Sequence, residues 1–350
     1  MQLDLLDSIE AVSPAEFDRL DQAAGAAGCY HRIRQLEDDR RWHTSYLSCR
    51  VDGRLAALIP LYRPGGLSWP DAAYDPATWP APAVGDQPVA AGVAGWLLVG
   101  GRADLLTGLP IEPGLREPGT VRTLLAAIAE VAAEQGRGLA FPYLFTEDRQ
   151  LIDEATGGTV SWALLGREGQ LLGVSEPGWE GSQRRPVRYN LRHDRELIGA
   201  AGVRSVVLGW PELETPASEL IAEHNVRLGR FDHPEFVKLR NRQWDECESV
   251  EFLVFAGSAG RATGYVTGWI WRDELAVYEI GLGGEQGADR LAVYLDLVFA
   301  QPIRLAQQRQ LRTVRLGPAA ERVKAGRGAV LHELHGGLLA APDTRKLADG

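Results

Sequence analysis

Cysteine, lysine and methionine are all scarce in this chain of 350 residues. The three cysteines, Cys29, Cys49 and Cys247, are odd in number, far apart and without metal-ligand spacing. They exclude a disulfide framework and fit a reducing compartment, so the expected location is the cytoplasm. No C-x-x-C or H-x-x-x-H pattern occurs, and neither a metal nor another cofactor is expected. A G-x-S-x-G elbow is also absent, which removes one kind of serine hydrolase. No run of about 18 apolar residues exists, and the N-terminal stretch MQLDLLDSIEAVSP is acidic and lacks a basic leader region. The chain is therefore expected neither to span a membrane nor to be secreted, and no membrane partner is expected. Three lysines stand against 34 arginines, a bias of GC-rich coding that carries no mechanism. A net charge of −10 argues against general nucleic-acid binding, and no DNA partner is expected. A local basic patch remains compatible with that charge.

What is present is globular: 45% hydrophobic and 24% charged residues, in a chain long enough for two ordinary domains. Ser13, Pro14 and Glu16 predict a capped helix over residues 13–28. The stretch WHTSYLSCRVDGRLAALIPLYR reads as two strands joined at Asp52-Gly53. Residues 64–92, rich in Pro, Gly and Trp, read as a long loop of the kind that serves as a lid. A strand at 96–99, an apolar helix ending at Gly136, a strand in GLAFPYLF, a short helix after Thr146 and a strand pair in SWALLGREGQLLGV complete the first half. The second half opens near Ser175 with a basic helix, then a strand (VRSVVLGW) and a helical region over 211–249. Strand pairs, a long helix, a strand, a basic loop, a further strand and a polar tail follow. Each half thus shows helices, a hairpin, a strand, a long helix and a strand. That order predicts two similar α/β units, residues 1–174 and 175–350, with mostly antiparallel sheets.

Residues 275–328 carry the chemistry. They read as strand, glycine-rich turn, helix, strand and a basic loop ending in Lys324, Arg327 and Gly328. A turn with Gly281, Gly283, Gly284 and Gly287 leaves N–H groups free at a helix start, which attracts phosphate or an oxyanion. Arg184, Arg185, Arg188, Arg192 and Arg195 recur at helical spacing over most of their length. They read either as a solvated face paired with Asp194 and Glu196 or as a phosphate-binding stripe. In the second case Tyr189 or Trp179 is available for stacking on a base.

Two patterns resemble a known family. One is Trp179 followed by RRPVRYNLRHDRE at 184–196. The other is Tyr278-Glu279 on a strand, the helix with Tyr294 and Pro302, Leu316-Gly317, and Lys324-x-x-Arg327-Gly328. This order is similar to the GNAT acyltransferases, and more closely to the FemAB-like group with two such domains in tandem. The resemblance covers most of 175–335 and, more weakly, 8–174. It implies an α/β (α+β) fold of two tandem GNAT-like domains, each a mixed, mostly antiparallel sheet flanked by helices, with the donor site in the second.

One departure bears on the donor. The [QR]-x-x-G-x-[GA] turn of acetyl-CoA-dependent members is replaced by GGEQGADR, so Glu285 and Asp289 put negative charge where a pyrophosphate would sit. The FemAB-like resemblance then implies an aminoacyltransferase that moves an amino acid from aminoacyl-tRNA to a small amine or hydroxylamine, as in natural-product biosynthesis. An acyl-CoA-dependent N-acetyltransferase and a non-catalytic GNAT-fold binding protein stay open as alternatives. Within the favoured reading, Lys324 would stabilise the oxyanion, Glu279 would take the amine's proton, and Tyr294 would donate to the leaving alkoxide. Arg327, Gly283, Gly284 and the five arginines of 184–195 would hold the donor. His224, Arg227, Arg230 and Tyr278 would hold the acceptor. The alternation along a strand sets Tyr278 and Glu279 on opposite faces unless a bulge intervenes.

Overall fold

The computed structural model describes residues 1–20, 23–80, 95–102 and 104–349. The chain divides into two compact units, Met1–Gly166 with Glu333–Gly350, and Arg167–His332. This differs from a cut at 174/175, because the last strand and helix return to the first unit.

The first unit begins with β1 (Gln2–Leu6), α1 (Pro14–Phe17) and α2 (Tyr30–Glu37). Ser13 makes the capping box with Glu16, yet α1 is one turn long, not a helix over 13–28. Gly25, at φ +61°, lies in the left-handed region that a continuing helix cannot adopt. β2 (Trp42–Val51) and β3 (Arg54–Pro64) form the hairpin, with Asp52 at φ +51° and Gly53 at φ +77°, as a type I′ turn requires. β4 (Trp96–Val99), α3 (Pro118–Glu134), β5 (Gly138–Phe145) and α4 (Thr146–Ala155) follow as expected. SWALLGREGQLL forms one strand, β6 (Ser161–Leu172), where a pair was expected. Residues 81–92 of the long loop lie outside the described residues. In the described part, Tyr74 and Trp79 are buried with Trp42, Tyr62 and Trp96, so this stretch contributes to the core.

The second unit holds α5 (Trp179–Ser182), α6 (Arg185–Ala201), β7 (Arg204–Leu208), α7 (Trp210–Arg227), α8 (Pro234–Asp245), β8 (Glu251–Ala259), β9 (Ala262–Trp271) and β10 (Glu274–Leu282). The long helix is α9 (Ala288–Leu295) and α10 (Gln301–Arg309), joined by a π-turn at Asp296–Ala300. β11 (Thr313–Arg315) and α11 (Glu321–Ala325) precede β12 (Val330–Leu339) and α12 (Ala341–Asp349). The basic loop is thus partly helical, and the polar tail is a helix.

Each unit repeats one strand order. In the first it is β1-β2-β3-β4-β5-β12; in the second it is β7-β8-β9-β10-β11-β6. Neighbours are antiparallel except β4 with β5 and β10 with β11. The sixth place in each order is filled by a strand distant in sequence. β12 reaches β5 through pairs such as Leu334 with Phe145 and Leu339 with Leu139. That pairing, with Leu347 of α12 packed on the core formed by α3, is the physical reason the C-terminal segment belongs to the first unit.

Candidate active site

β10 carries the site. Its parallel pairing with β11 is confined to Glu274–Ala276 against Thr313–Arg315, and its register with β9 slips between Val277 and Ile280. The slip is a β-bulge at Tyr278 and Glu279, the feature that lifts the strict alternation of their side chains. The Tyr278 ring lies 4.9 Å from Trp269, which stacks on Trp244 at 3.8 Å and 15°. Glu279 turns towards α8. Its Oε1 accepts from Arg240 Nε and its Oε2 from Asn241 Nδ2, both at 2.6 Å, while its backbone N–H donates to Thr267 Oγ1 at 3.2 Å. Burial pushes the Glu279 carboxyl above the ordinary carboxylate range, against the pull of Arg240 and Asn241. The other two nitrogens of Arg240 grip Asp232 at 3.0 and 2.5 Å, and Asn225 Nδ2 donates to the same carboxylate at 2.7 Å.

α7 closes on the end of the strand. A Cβ at Gly281 would stand 2.6 Å from the Ile221 backbone nitrogen, so only glycine permits this approach. It brings His224 and Arg227, one helical turn apart, to β10, where Arg227 Nη2 donates to the Leu282 carbonyl. His224 Nδ1 is buried and has no hydrogen-bond partner among the described residues. Burial, helped by Arg227, Arg290 and Arg230, lowers the His224 pKa and keeps the ring neutral. Arg230 lies on the exposed turn beyond. Beside these groups, Gly283 donates to the Thr263 carbonyl at 2.8 Å, Gly284 sits at φ +78°, and α9 starts from Gly287 without a side-chain cap. Glu285 and Asp289 are exposed at that helix start.

Lys324 and Arg327 stand elsewhere in the bonding pattern. Lys324 is 4% exposed, and its Nζ donates to the carbonyls of Leu316, Gly317 and Pro318 at 2.7, 2.8 and 2.9 Å. Three bonds exhaust the ammonium's donors, so none is left for an oxyanion. They hold a turn in which Gly317, Ala319 and Ala320 all have positive φ, a conformation costly for alanine. Burial lowers the Lys324 pKa to about 8. Arg327 forks onto Asp194 at 2.6 and 2.8 Å with its guanidinium 4.9 Å from the Phe299 ring. Tyr294 packs edge-on against Phe299, and burial raises its pKa.

α6 sorts its arginines. Arg195 is bidentate to Glu180 at 2.6 Å, and Arg188 Nη1 donates to the Gln183 and Gly181 carbonyls. Arg192 lies 3.8 Å from Glu196 and over the Tyr189 ring at 5.7 Å. Arg184 and Arg185 are exposed, and no side-chain hydrogen bond or ion pair engages them among the described residues.

Sequence reasoning missed Asp232, Arg240, Asn241 and Thr267. One signal was there: Asn241 shares the buried stripe of α8 with Val237 and Trp244, and a polar residue at a core position needs a partner. It also missed the buried fork of Arg315 on Glu168 at 3.0 and 2.9 Å, to which Glu274 adds a contact at 3.2 Å.

No family model and no curated sequence matches this chain. Solved structures do match. FemX is 10% identical over all of both chains, with a TM-score of 0.64. A tandem GNAT protein from the clavulanic acid biosynthesis pathway is 16% identical over 97% of this chain and 99% of its own, with a TM-score of 0.54. The chain shares with them the fold of two GNAT-like units in tandem. L-PGS from Bacillus licheniformis shares this fold at 12% identity over 97% of both chains, with a TM-score of 0.52. Within the tandem GNAT fold of this chain, the bulge on the strand that enters the glycine turn belongs to the second unit. The corresponding β3–β4 ladder of the first unit pairs Leu61 with Val99 and Tyr62 with Leu98 without a slip.

Proposed function

We propose that the protein is an aminoacyltransferase that takes its acyl group from aminoacyl-tRNA and transfers it to the nitrogen of a small amine or hydroxylamine. The observation that carries acyl transfer is Glu279, a carboxylate with a raised pKa set on a bulge of the strand that leads into the glycine turn. The acceptor nitrogen attacks the ester carbonyl, Glu279 takes the proton the nitrogen loses, the new amide bond forms, and the ester C–O bond breaks. The terminal ribose hydroxyl of the tRNA leaves with a proton. The uncapped N–H groups at the start of α9 would meet the single transient charge of the oxyanion, which Glu285 and Asp289 oppose less than the two lasting charges of a pyrophosphate. His224, with its uncommitted ring nitrogen, holds the acceptor beside Tyr278. Lys324, Arg327 and Tyr294 support the surrounding structure in this reading.

The donor rests on charge. Glu285 and Asp289 oppose a pyrophosphate at the α9 start, whereas Arg184, Arg185 and Arg188 crowd the positive end of α6, where no acidic side chain offsets the helix dipole. Such an end favours a polyanion. The likeness to a protein of the clavulanic acid pathway supports a natural-product setting.

The deciding experiment mixes the purified protein with a candidate amine and either charged tRNA or acyl-CoA, and follows the mass of the amine. Product is expected with charged tRNA and is lost when ribonuclease digests it beforehand. Product formed from acyl-CoA without tRNA overturns the donor assignment. The variant R184Q/R185Q/R188Q should lower the slope of log affinity for tRNA against log salt by roughly 2 to 3. An unchanged slope removes these arginines from the donor contact.

A further inference from the structure

A groove of about 800 Å³ lies beside α3 in the first unit. Leu3 and Leu5 of β1, Leu347 of α12 and the outer side of α3 form its walls. β1 is the last strand of the sheet on this side, and Leu5 is 49% exposed. On the α3 wall Arg122 and Glu130 are exposed, with Ala126 and Ala127 half-buried between them.

Two charges on this wall are left over. At the rim Gln2 donates to Asp4 and Lys346 donates to Asp343. No side-chain hydrogen bond or ion pair engages Arg122 or Glu130 among the described residues. They share one face of α3 but stand about 12 Å apart along it, too far to pair with each other. Ala126 is midway between them. A second α3 running antiparallel, related by a two-fold axis at Ala126, would lay Arg122 of each copy on Glu130 of the other. The same symmetry sets Gly119 against Ala133 and Ala126 against itself, and side chains this small allow close approach of the two helices. We infer that this face of α3 is the interface of a symmetric dimer, in which the second copy's α3 lies in the groove and covers Leu3 and Leu5.

The arrangement of charge selects a second copy. A segment of another protein would have to bring a base and an acid at the same spacing in reverse order, and this chain already carries that complement. The two ion pairs set partner and register, while the apolar side chains of the groove supply most of the affinity, because an exposed pair contributes little. The inference stands on the first unit alone and is independent of the acyl-transfer reading.

Sedimentation velocity of the full chain tests it. The wild type is expected to dimerise. Arg122→Glu and Glu130→Arg each bring like charges together twice, so each should weaken the dimer about tenfold or more. An equimolar mixture of the two variants should regain the wild-type dimer, because every crossed pair is then opposite in charge. Circular dichroism should be unchanged in both variants, since both side chains are exposed. A wild type that stays monomeric at submillimolar concentration overturns the inference. So does a dimer that neither substitution weakens, or a loss of dimer in both folded variants that mixing does not restore.

Discussion

β4 and β10 hold the same place in the strand orders of their units, each the antiparallel neighbour of one strand and the parallel neighbour of the next. β4 is four residues long, Trp-Leu-Leu-Val, and wholly buried. β10 is nine residues long, bulged, and carries a carboxylate that two α8 side chains grip. The same position serves packing in one unit and offers a chemical group in the other. The difference teaches that the repeated fold supplies a platform, and that the bulge with its bonded Glu279 makes one copy the candidate site.

Glu279→Gln is the sharpest break of that contrast. It keeps the size of the side chain and removes the base, so kcat/KM of the folded protein should fall about 100-fold or more; the melting temperature should fall as well, because Arg240 keeps only Asp232 as a carboxylate partner. In the wild type, the rate should decline as pH falls through the raised Glu279 pKa, and this limb should vanish in the variant. A rate unchanged by the substitution would put the chemistry elsewhere. In β4 the expectation reverses. Leu98→Ala, at a side chain with no exposure, should cost about 2–5 kcal/mol in urea unfolding, with kcat/KM of the folded fraction preserved.

A smaller effect separates Lys324 from the site. Its folded pKa, about 8, lies below the ordinary 10.5, so between those values the unfolded chain binds more protons than the folded one. Stability should therefore rise with pH across this window, by on the order of 1–3 kcal/mol relative to Lys324→Met. The burial penalty is fully present below pH 8 and is relieved above it. Equal pH dependence in the two proteins would show that burial does not perturb this amine.

The legible parts were those set by short-range rules. The Asp52-Gly53 hairpin, the Ser13–Glu16 capping box, α3 with its terminal Gly136 and the strand leading into the glycine turn all follow from neighbours in the chain. The illegible parts depended on partners far away in sequence. Five arginines of α6 look alike as letters, yet Glu180 claims Arg195 while Arg184 and Arg185 face solvent. Lys324 resembled a free cation in a loop until the carbonyls of 316–318 closed around it. Arg240 was invisible, and Asn241 was hinted at only by its place on the apolar stripe of α8, because their partner, Glu279, lies on another element.

The sequence by itself determined the two-unit α/β plan, the glycine turn and the acidic departure at Glu285 and Asp289, because periodicity, turn chemistry and local charge act over a few residues. Only the tertiary structure decided that β12 returns to the first unit, that Tyr278 and Glu279 share a bulge, and which cations remain unclaimed. Those outcomes depend on long-range pairing and on burial, where the penalty for an unpartnered polar group selects one arrangement among many.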